Sequence, residues 1–312
     1  MDTYKDKIKE EAQEFDKNNL ERIKNGFVPD LRNLQKVDWF YNNVWRDPKL
    51  VDIHLMPIFN FMIDAAKRRG GNVLEVGCGM GYLSLELARN GLNVIGVDVS
   101  EKSIEIAEEF LSKNEFKENF GSLRYVSDDI VTMDLENDYF DTIVFFGSLH
   151  HLPDVRSLMK KLSVSLKKGG NVIIFEPIRN NIDHDSAEFL ALMRAILPTW
   201  IGYDKKLNHL NSDQEWAKYV DDIYNEIKYL EEHEQSPMDN ITDSEEVILQ
   251  TVEEHFNIKS IDYSNSFIDK LIGGIRGENT HQLAAFLKFL DGYMVRSKKL
   301  SPTAMLIHAV KE

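Results

Sequence analysis

The spacing of apolar positions changes three times along the chain. Residues 4–24 are highly charged, lack glycine and proline, and read as an exposed helix ended by Gly26 and Pro29. Residues 38–46 are dense in aromatics, with Trp39, Phe40, Tyr41 and Trp45. Leu55, Ile58, Phe59, Met62 and Ile63 form an apolar stripe that predicts one helix over 51–67, stopped by Gly70-Gly71. Short apolar runs then alternate with helical patterns. Strands are expected over 72–76, 93–97, 123–127, 141–146 and 171–175. Helices are expected from Gly81 to Asn90 and over 101–113 and 154–166.

Several of these strands are near-continuous apolar runs, the pattern of strands covered on both sheet faces. Strands separated by helices imply right-handed crossovers and a mostly parallel sheet. The rhythm breaks after Phe175. Phe189, Leu190, Leu192, Met193 and Ile196 mark one helix, and Trp216, Val220, Ile223, Tyr224, Ile227 and Leu230 mark another. The α/β pattern returns with a helix over 244–255, a strand over 258–263, a helix over 280–295 and a last strand over 304–310. The predicted fold is α/β and Rossmann-like: a seven-stranded, mostly parallel sheet with helices on both faces and a helical cap insertion. The expected segments are an N-terminal helical part of the cap (1–68), an α/β core (69–178), the cap insertion (179–243) and the C-terminal part of the core (244–312).

Composition narrows the function classes. The chain has 312 residues and a formal net charge of −15, and 16 acidic against 5 basic side chains in residues 181–250 supply most of it. This acidity disfavours a nucleic-acid partner, which needs concentrated positive charge. The acidic insertion reads as a solvated surface, as a pocket mouth that attracts a cationic amine, or as a face matched to a basic partner. One cysteine, Cys78, leaves no internal disulfide and no four-cysteine zinc cluster. No leader pattern or membrane-spanning run is visible, and a cytoplasmic location is the expectation.

The main chemical signal is Glu75-Val76-Gly77-Cys78-Gly79-Met80-Gly81, where the first strand turns into a helix. Glycines there let the backbone approach a ligand, and the helix N-terminus offers free amides. The spacing is neither the dinucleotide fingerprint nor a P-loop. Asp98 closes the second strand, where a carboxylate can accept ribose hydroxyls. Asp128 and Asp129 close the third, where one carboxylate can accept from an adenine amino group while Val99 and Ile130 flank the ring.

With Phe140-Asp141-Thr142-Ile143-Val144, Gly147-Ser148-Leu149-His150-His151-Leu152-Pro153-Asp154 and Leu166-Lys167-Lys168-Gly169-Gly170, these motifs resemble those of class I S-adenosylmethionine-dependent methyltransferases, in particular enzymes acting on small molecules. The resemblance implies S-adenosyl-L-methionine as cofactor and methyl transfer to an oxygen or nitrogen of a small-molecule acceptor, with a slight preference for oxygen. It places Gly77 and Gly79 at the methionine portion, Asp98 at the ribose, Asp129 at the adenine, and Phe146 and Gly147 beside the methionine portion. Glu75, Cys78 and Gly81 belong to the same loop.

The acceptor side is less defined. His150 and His151 follow the fourth strand, and an imidazole can take a proton near neutral pH. They are the catalytic candidates, and no metal is assigned because no third ligand is identifiable. Trp39, Tyr41 and Trp45 either close the acceptor pocket or pack as core. Glu176 follows the fifth strand, as does Arg179, which either holds an anionic substrate group or lies on the surface. Asp183, His184 and Asp185 read as a solvated helix start. Cap aromatics offer a surface for a homodimer. Two rival readings stand beside this one: a protein or RNA methyltransferase using the cap as a docking surface, and a non-catalytic donor-binding protein.

Overall fold

The computed structural model describes residues 2–228, 236–239 and 244–312, with the side chains of residues 2 and 3 excepted. Leu230 and the predicted boundary at 243 lie outside the described residues. The strands are β1 (Asn72–Val76), β2 (Asn93–Asp98), β3 (Ser122–Ser127), β4 (Phe140–Phe146), β5 (Leu166–Pro177), β6 (Asn257–Ser264) and β7 (Ala304–Val310). They form one sheet in the order β3-β2-β1-β4-β5-β7-β6, parallel except for β7. The expected α/β class and strand count hold. The order reverses between β1 and β4, the switch point at which open α/β sheets bind ligands.

Register explains why remote motifs meet. Val76 pairs with Val97 and with Phe145, Asp98 with Ser127, and Phe146 with Phe175. The residues that follow these pairs therefore line one edge of the sheet. Antiparallel β7 starts at the same edge, with Ala304 opposite Pro177 and Ser264. Loops from both halves of the chain thus converge there.

The helices are α1 (Asp2–Lys24), α2 (Pro48–His54), α3 (Met56–Arg69), α4 (Tyr82–Arg89), α5 (Glu101–Ser112), α6 (Val155–Ser165), α7 (His184–Ile196), α8 (Tyr203–Leu207), α9 (Asp213–Lys228), α10 (Glu245–Glu253) and α11 (Thr280–Arg296). The single helix expected over 51–67 is two, because Pro57 stands in the first turn of α3 and lacks the N–H needed to continue α2. Leu74, Ile143, Phe145, Leu162 and Ile174 centre the core on one sheet face, and Phe59, Met62, Leu83, Val144 and Ile173 that on the other. Helices α7 and α9 pack with Phe267, Ile268 and α11 in a third cluster.

Helix α1 departs from its expectation as an exposed element. It lies over the sheet edge and is held by polar bonds: Asn19 Nδ2 donates to Ser103 Oγ at 2.8 Å, Ser100 Oγ to Asp16 Oδ1 at 2.6 Å, and Tyr4 Oη to Asp129 Oδ2 at 3.0 Å. The segment after α1 is anchored through Asp30, whose two carboxylate oxygens accept from Arg89 Nη1 and Nη2 at 2.6 and 2.8 Å.

Candidate active site

The convergent edge opens into a cavity of about 480 Å³. Its floor begins at the glycine loop. Gly77 has φ 72°, and a Cβ there would come within 2.4 Å of Ser148 Cβ, so the turn demands glycine. Gly79 has φ 51°, and a Cβ there would meet nothing within 4 Å. The loop presents bare backbone to the cavity at this point. Gly79 N–H donates to Asp98 Oδ2 at 2.8 Å and Ser100 N–H to Oδ1 at 2.9 Å. These bonds hold the Asp98 carboxyl in the wall, while burial raises its pKa against them.

The other walls come from several elements. Val99, Asp128, Ile130, Phe146, Gly147, His150, His151, Trp45 and Arg179 all line the cavity. Of the cofactor and substrate candidates read from the sequence, six stand outside it. Asp129 turns its carboxylate to Tyr4 and to Val131 N–H, which leaves Asp128 as the wall carboxylate of that pair. Glu75 is buried behind the loop and accepts from Ser84 Oγ; burial pushes its pKa up to about 8. Cys78 is also buried, and its thiol pKa is raised well above the usual range by burial. Gly81 caps α4. Trp39 and Tyr41 are exposed and pack on Phe40 and Trp200. Neither forms the acceptor wall offered for it, because the hydrogen-bonded turns over 37–43 leave both exposed; of the three, Trp45 alone lines the cavity.

The polar centre lies at the end of β4, where Leu149–His151 form a short 3₁₀ turn. Glu176, fully buried at the end of β5, accepts through Oε1 from Ser148 N–H at 2.8 Å and Leu149 N–H at 2.7 Å. Its Oε2 lies 2.7 Å from His150 Nδ1. A carboxylate can only accept, so Nδ1 carries the proton; Nε2 lies 3.5 Å from Asp239 Oδ1, which is closer, at 3.1 Å, to the Arg179 guanidinium, and a neutral His150 keeps its lone pair on Nε2. Burial, and then the neighbouring His151, lower the His150 pKa against the opposing pull of Glu176. The arrangement is an oriented, neutral imidazole able to take a proton.

The N-terminal segment was expected in the cap, but the side chains with which α1 roofs the cavity were not singled out. Glu11, Phe15, Asn19 and Arg22 of α1 line the cavity. Glu11 Oε1 lies 2.8 Å from His151 Nδ1, and Glu11 Oε2 accepts from Met238 N–H at 2.8 Å. His54, Asn265, Asp269 and Lys270 form the far wall and were also missed. No motif marks them, because they become neighbours only through the antiparallel return of β7. Asp239 supplies the third ligand-type group that the sequence did not assign. Atoms of His150, His151 and Asp239 lie within 4.8 Å of one another, a spacing that could hold a cation. Asp239 Oδ1 is already 3.1 Å from the Arg179 guanidinium, which neutralises it. The sequence trio at 183–185 is a surface feature: Asp183 caps α7, and His184 Nε2 lies 3.3 Å from Asp221.

The fold and its edge define an α/β enzyme that binds a nucleotide-like cofactor at the switch point. Comparison with known proteins narrows this. A family model described as a methyltransferase domain matches residues 74–174. The ubiquinone biosynthesis O-methyltransferase of Coxiella burnetii is 33% identical over 181 residues, which cover 56% of this chain and 70% of that protein. The enzyme of the same name from Nitrosospira multiformis is 31% identical over 164 residues, covering 51% and 66%. Among solved structures, geranyl diphosphate C-methyltransferase from Streptomyces coelicolor A3(2) shares the fold with a TM-score of 0.51 at 12% identity, covering 91% of this chain and 84% of that one.

The chain belongs to the class I S-adenosylmethionine-dependent methyltransferases. S-adenosylmethionine is its methyl donor, and the cavity fits that molecule: the backbone is open above Gly79 and Gly147, where a Cβ would meet nothing within 4 Å, and a carboxylate, apolar flanks and the Arg22 cation surround that opening.

Proposed function

We propose that this enzyme methylates a hydroxyl oxygen of a small molecule, with His150 as the general base and Glu176 as the residue that orients it. The observation that carries the reading is the 2.7 Å bond from His150 Nδ1 to buried Glu176, which leaves Nε2 to accept a proton in the cavity. When bound, S-adenosylmethionine supplies an activated methyl group on a sulfonium, so the protein's tasks are alignment, exclusion of water and removal of the acceptor proton.

Gly77, Gly79, Phe146 and Gly147 face the methionine portion of the donor in this reading. Arg22 holds its carboxylate, Asp98 accepts from the ribose hydroxyls, and Asp128 serves the adenine amino group between Val99 and Ile130. His151, held by Glu11, positions the roof over the acceptor, and Arg179 fixes Asp239 beside His150. A bounded cavity roofed by α1 and Ile227 of α9 favours a small acceptor over a macromolecule. The O-methyltransferase names of the relatives agree with the oxygen preference. One unpaired thiol supports a cytoplasmic setting. Among the described residues no helix is long and apolar enough to cross a membrane. The exposed aromatics Tyr41, Trp200 and Tyr203 are the surface through which two copies would pair.

The test is His150→Gln. Affinity for S-adenosylhomocysteine, measured by calorimetry, should stay within about twofold, while methyl transfer falls by about 10²–10⁴. Transfer at the wild-type rate would remove His150 as the base.

A further inference from the structure

The cavity wall that carries Asp128 and Ile130 is the loop after β3. Asp128 N–H still bonds to the Asp98 carbonyl at 3.0 Å, and beyond it the chain leaves the sheet. It then makes one turn. The Asp129 carbonyl accepts from Thr132 N–H at 3.0 Å and Met133 N–H at 2.8 Å, and Asp129 Oδ1 accepts from Val131 N–H at 2.9 Å. The turn is not continued as a helix, so its carbonyls lack the amides that a next turn would bring. Among the described residues, the carbonyls of Ile130, Val131 and Met133 accept no backbone N–H.

One side chain collects all three. Lys161 of α6 donates through Nζ to the Ile130 carbonyl at 2.9 Å, to the Val131 carbonyl at 3.2 Å and to the Met133 carbonyl. An ammonium has three N–H donors, and this single turn takes every one. The bonds are charge-assisted and so stronger than neutral ones. Burial lowers the Lys161 pKa, against the carboxylates of Asp129, Asp134 and Asp128, which favour its charge.

The base of that side chain is itself fixed. Helix α6 buries Val155, Leu158, Met159 and Leu162 in the core beneath the sheet edge. Lys161 therefore carries the position of a packed helix to a loop that has left the sheet. The effect falls on the cavity: Ile130 and Asp128 line it, and Lys161 does not. The ammonium bonds the Ile130 peptide directly, so it sets how far the Ile130 side chain stands from Val99 on the facing loop.

We propose that Lys161 is a positioning residue for the methyl donor, holding the loop over 128–133 at the spacing that admits the adenine ring. It touches neither donor nor acceptor. This rests on the reading of Val99, Asp128 and Ile130 as the adenine wall, and names what sets that wall in place.

The experiment is calorimetry on Lys161→Met, well below its melting temperature, with S-adenosylhomocysteine and adenosine as probes and Asp128→Ala alongside. Both probes should bind Lys161→Met at least tenfold more weakly, because the loss belongs to the adenosine half that they share. Lys161→Gln, neutral and too short to reach the three carbonyls, carries the same comparison if Lys161→Met does not fold. A merely structural role would lower the melting temperature and leave both affinities unchanged. That result, with Asp128→Ala still weakening S-adenosylhomocysteine, overturns the proposal. A loss for S-adenosylhomocysteine that adenosine does not share also overturns it. If Asp128→Ala and Lys161→Met both leave the affinities unchanged, the reading of the adenine wall falls instead, and the proposal with it.

Discussion

Replacing Glu176 with glutamine removes a charge and almost no volume. Oε1 of Glu176 accepts two backbone N–H bonds, and Oε2 holds the His150 Nδ1 proton. A glutamine must keep its oxygen on the two amides, since its NH₂ group would clash there with two donors. The NH₂ group then faces Nδ1, which can only accept from it. The imidazole proton moves to Nε2, and the lone pair needed in the cavity is lost. General-base assistance contributes about 10²–10⁴ in rate, so the loss is about 2.7–5.4 kcal/mol of transition-state stabilisation. The tautomer can be read without knowing the acceptor. In ¹⁵N-histidine-labelled protein, with the resonance assigned through His150→Gln, wild-type His150 should show a protonated Nδ1 and a bare Nε2, and Glu176→Gln should exchange them. A bare Nδ1 in the wild type, or the same tautomer in both proteins, would refute the reasoning.

Other consequences can be checked separately. The rate of methyl transfer should rise with pH through a midpoint below the ordinary imidazole value of about 6.5, because burial lowers the His150 pKa and only the neutral ring accepts a proton. A pH–rate profile with its lower limb above 7 would contradict this. Gly77→Ala, whose Cβ would fall 2.4 Å from Ser148 Cβ at a positive φ, should weaken S-adenosylhomocysteine binding by more than tenfold in calorimetry; unchanged affinity would exclude that packing. Asp30→Ala should lower unfolding stability by about 1.5–3 kcal/mol in urea titrations, since it removes two bonds of the buried Arg89 guanidinium and leaves it only Glu86 at 3.5 Å and Asn114 at 3.0 Å; a loss below about 0.5 kcal/mol would contradict a stabilising role for the pair.

The α/β core was legible because its strands are continuous apolar runs between amphipathic helices, and Gly77, Asp98 and Gly147 sit where those strands end. The roof was not. Helix α1 buries Glu11 and Asn19 rather than an apolar stripe, so its high charge read as an exposed helix with no inward face. Trp39 and Tyr41 drew attention by residue type, yet a turn faces them outward while Trp45 points in. His54, Asn265, Asp269 and Asp239 escaped because their proximity depends on β7 returning antiparallel and on loops remote in sequence. The Asp128 and Asp129 pair was located correctly at the sheet edge, but which carboxylate faces the cavity follows from the Tyr4 hydrogen bond, which no local pattern encodes.

The central claim is transfer from S-adenosylmethionine to a small molecule by way of His150. Its most direct test incubates the enzyme with methyl-labelled donor and fractionated cell extract and follows the label by mass spectrometry. Label should accumulate in the small-molecule fraction as a methyl ether, and His150→Gln should slow that accumulation by at least a hundredfold while still binding S-adenosylhomocysteine. Label appearing instead in protein or RNA, or equal transfer by both enzymes, would contradict the account.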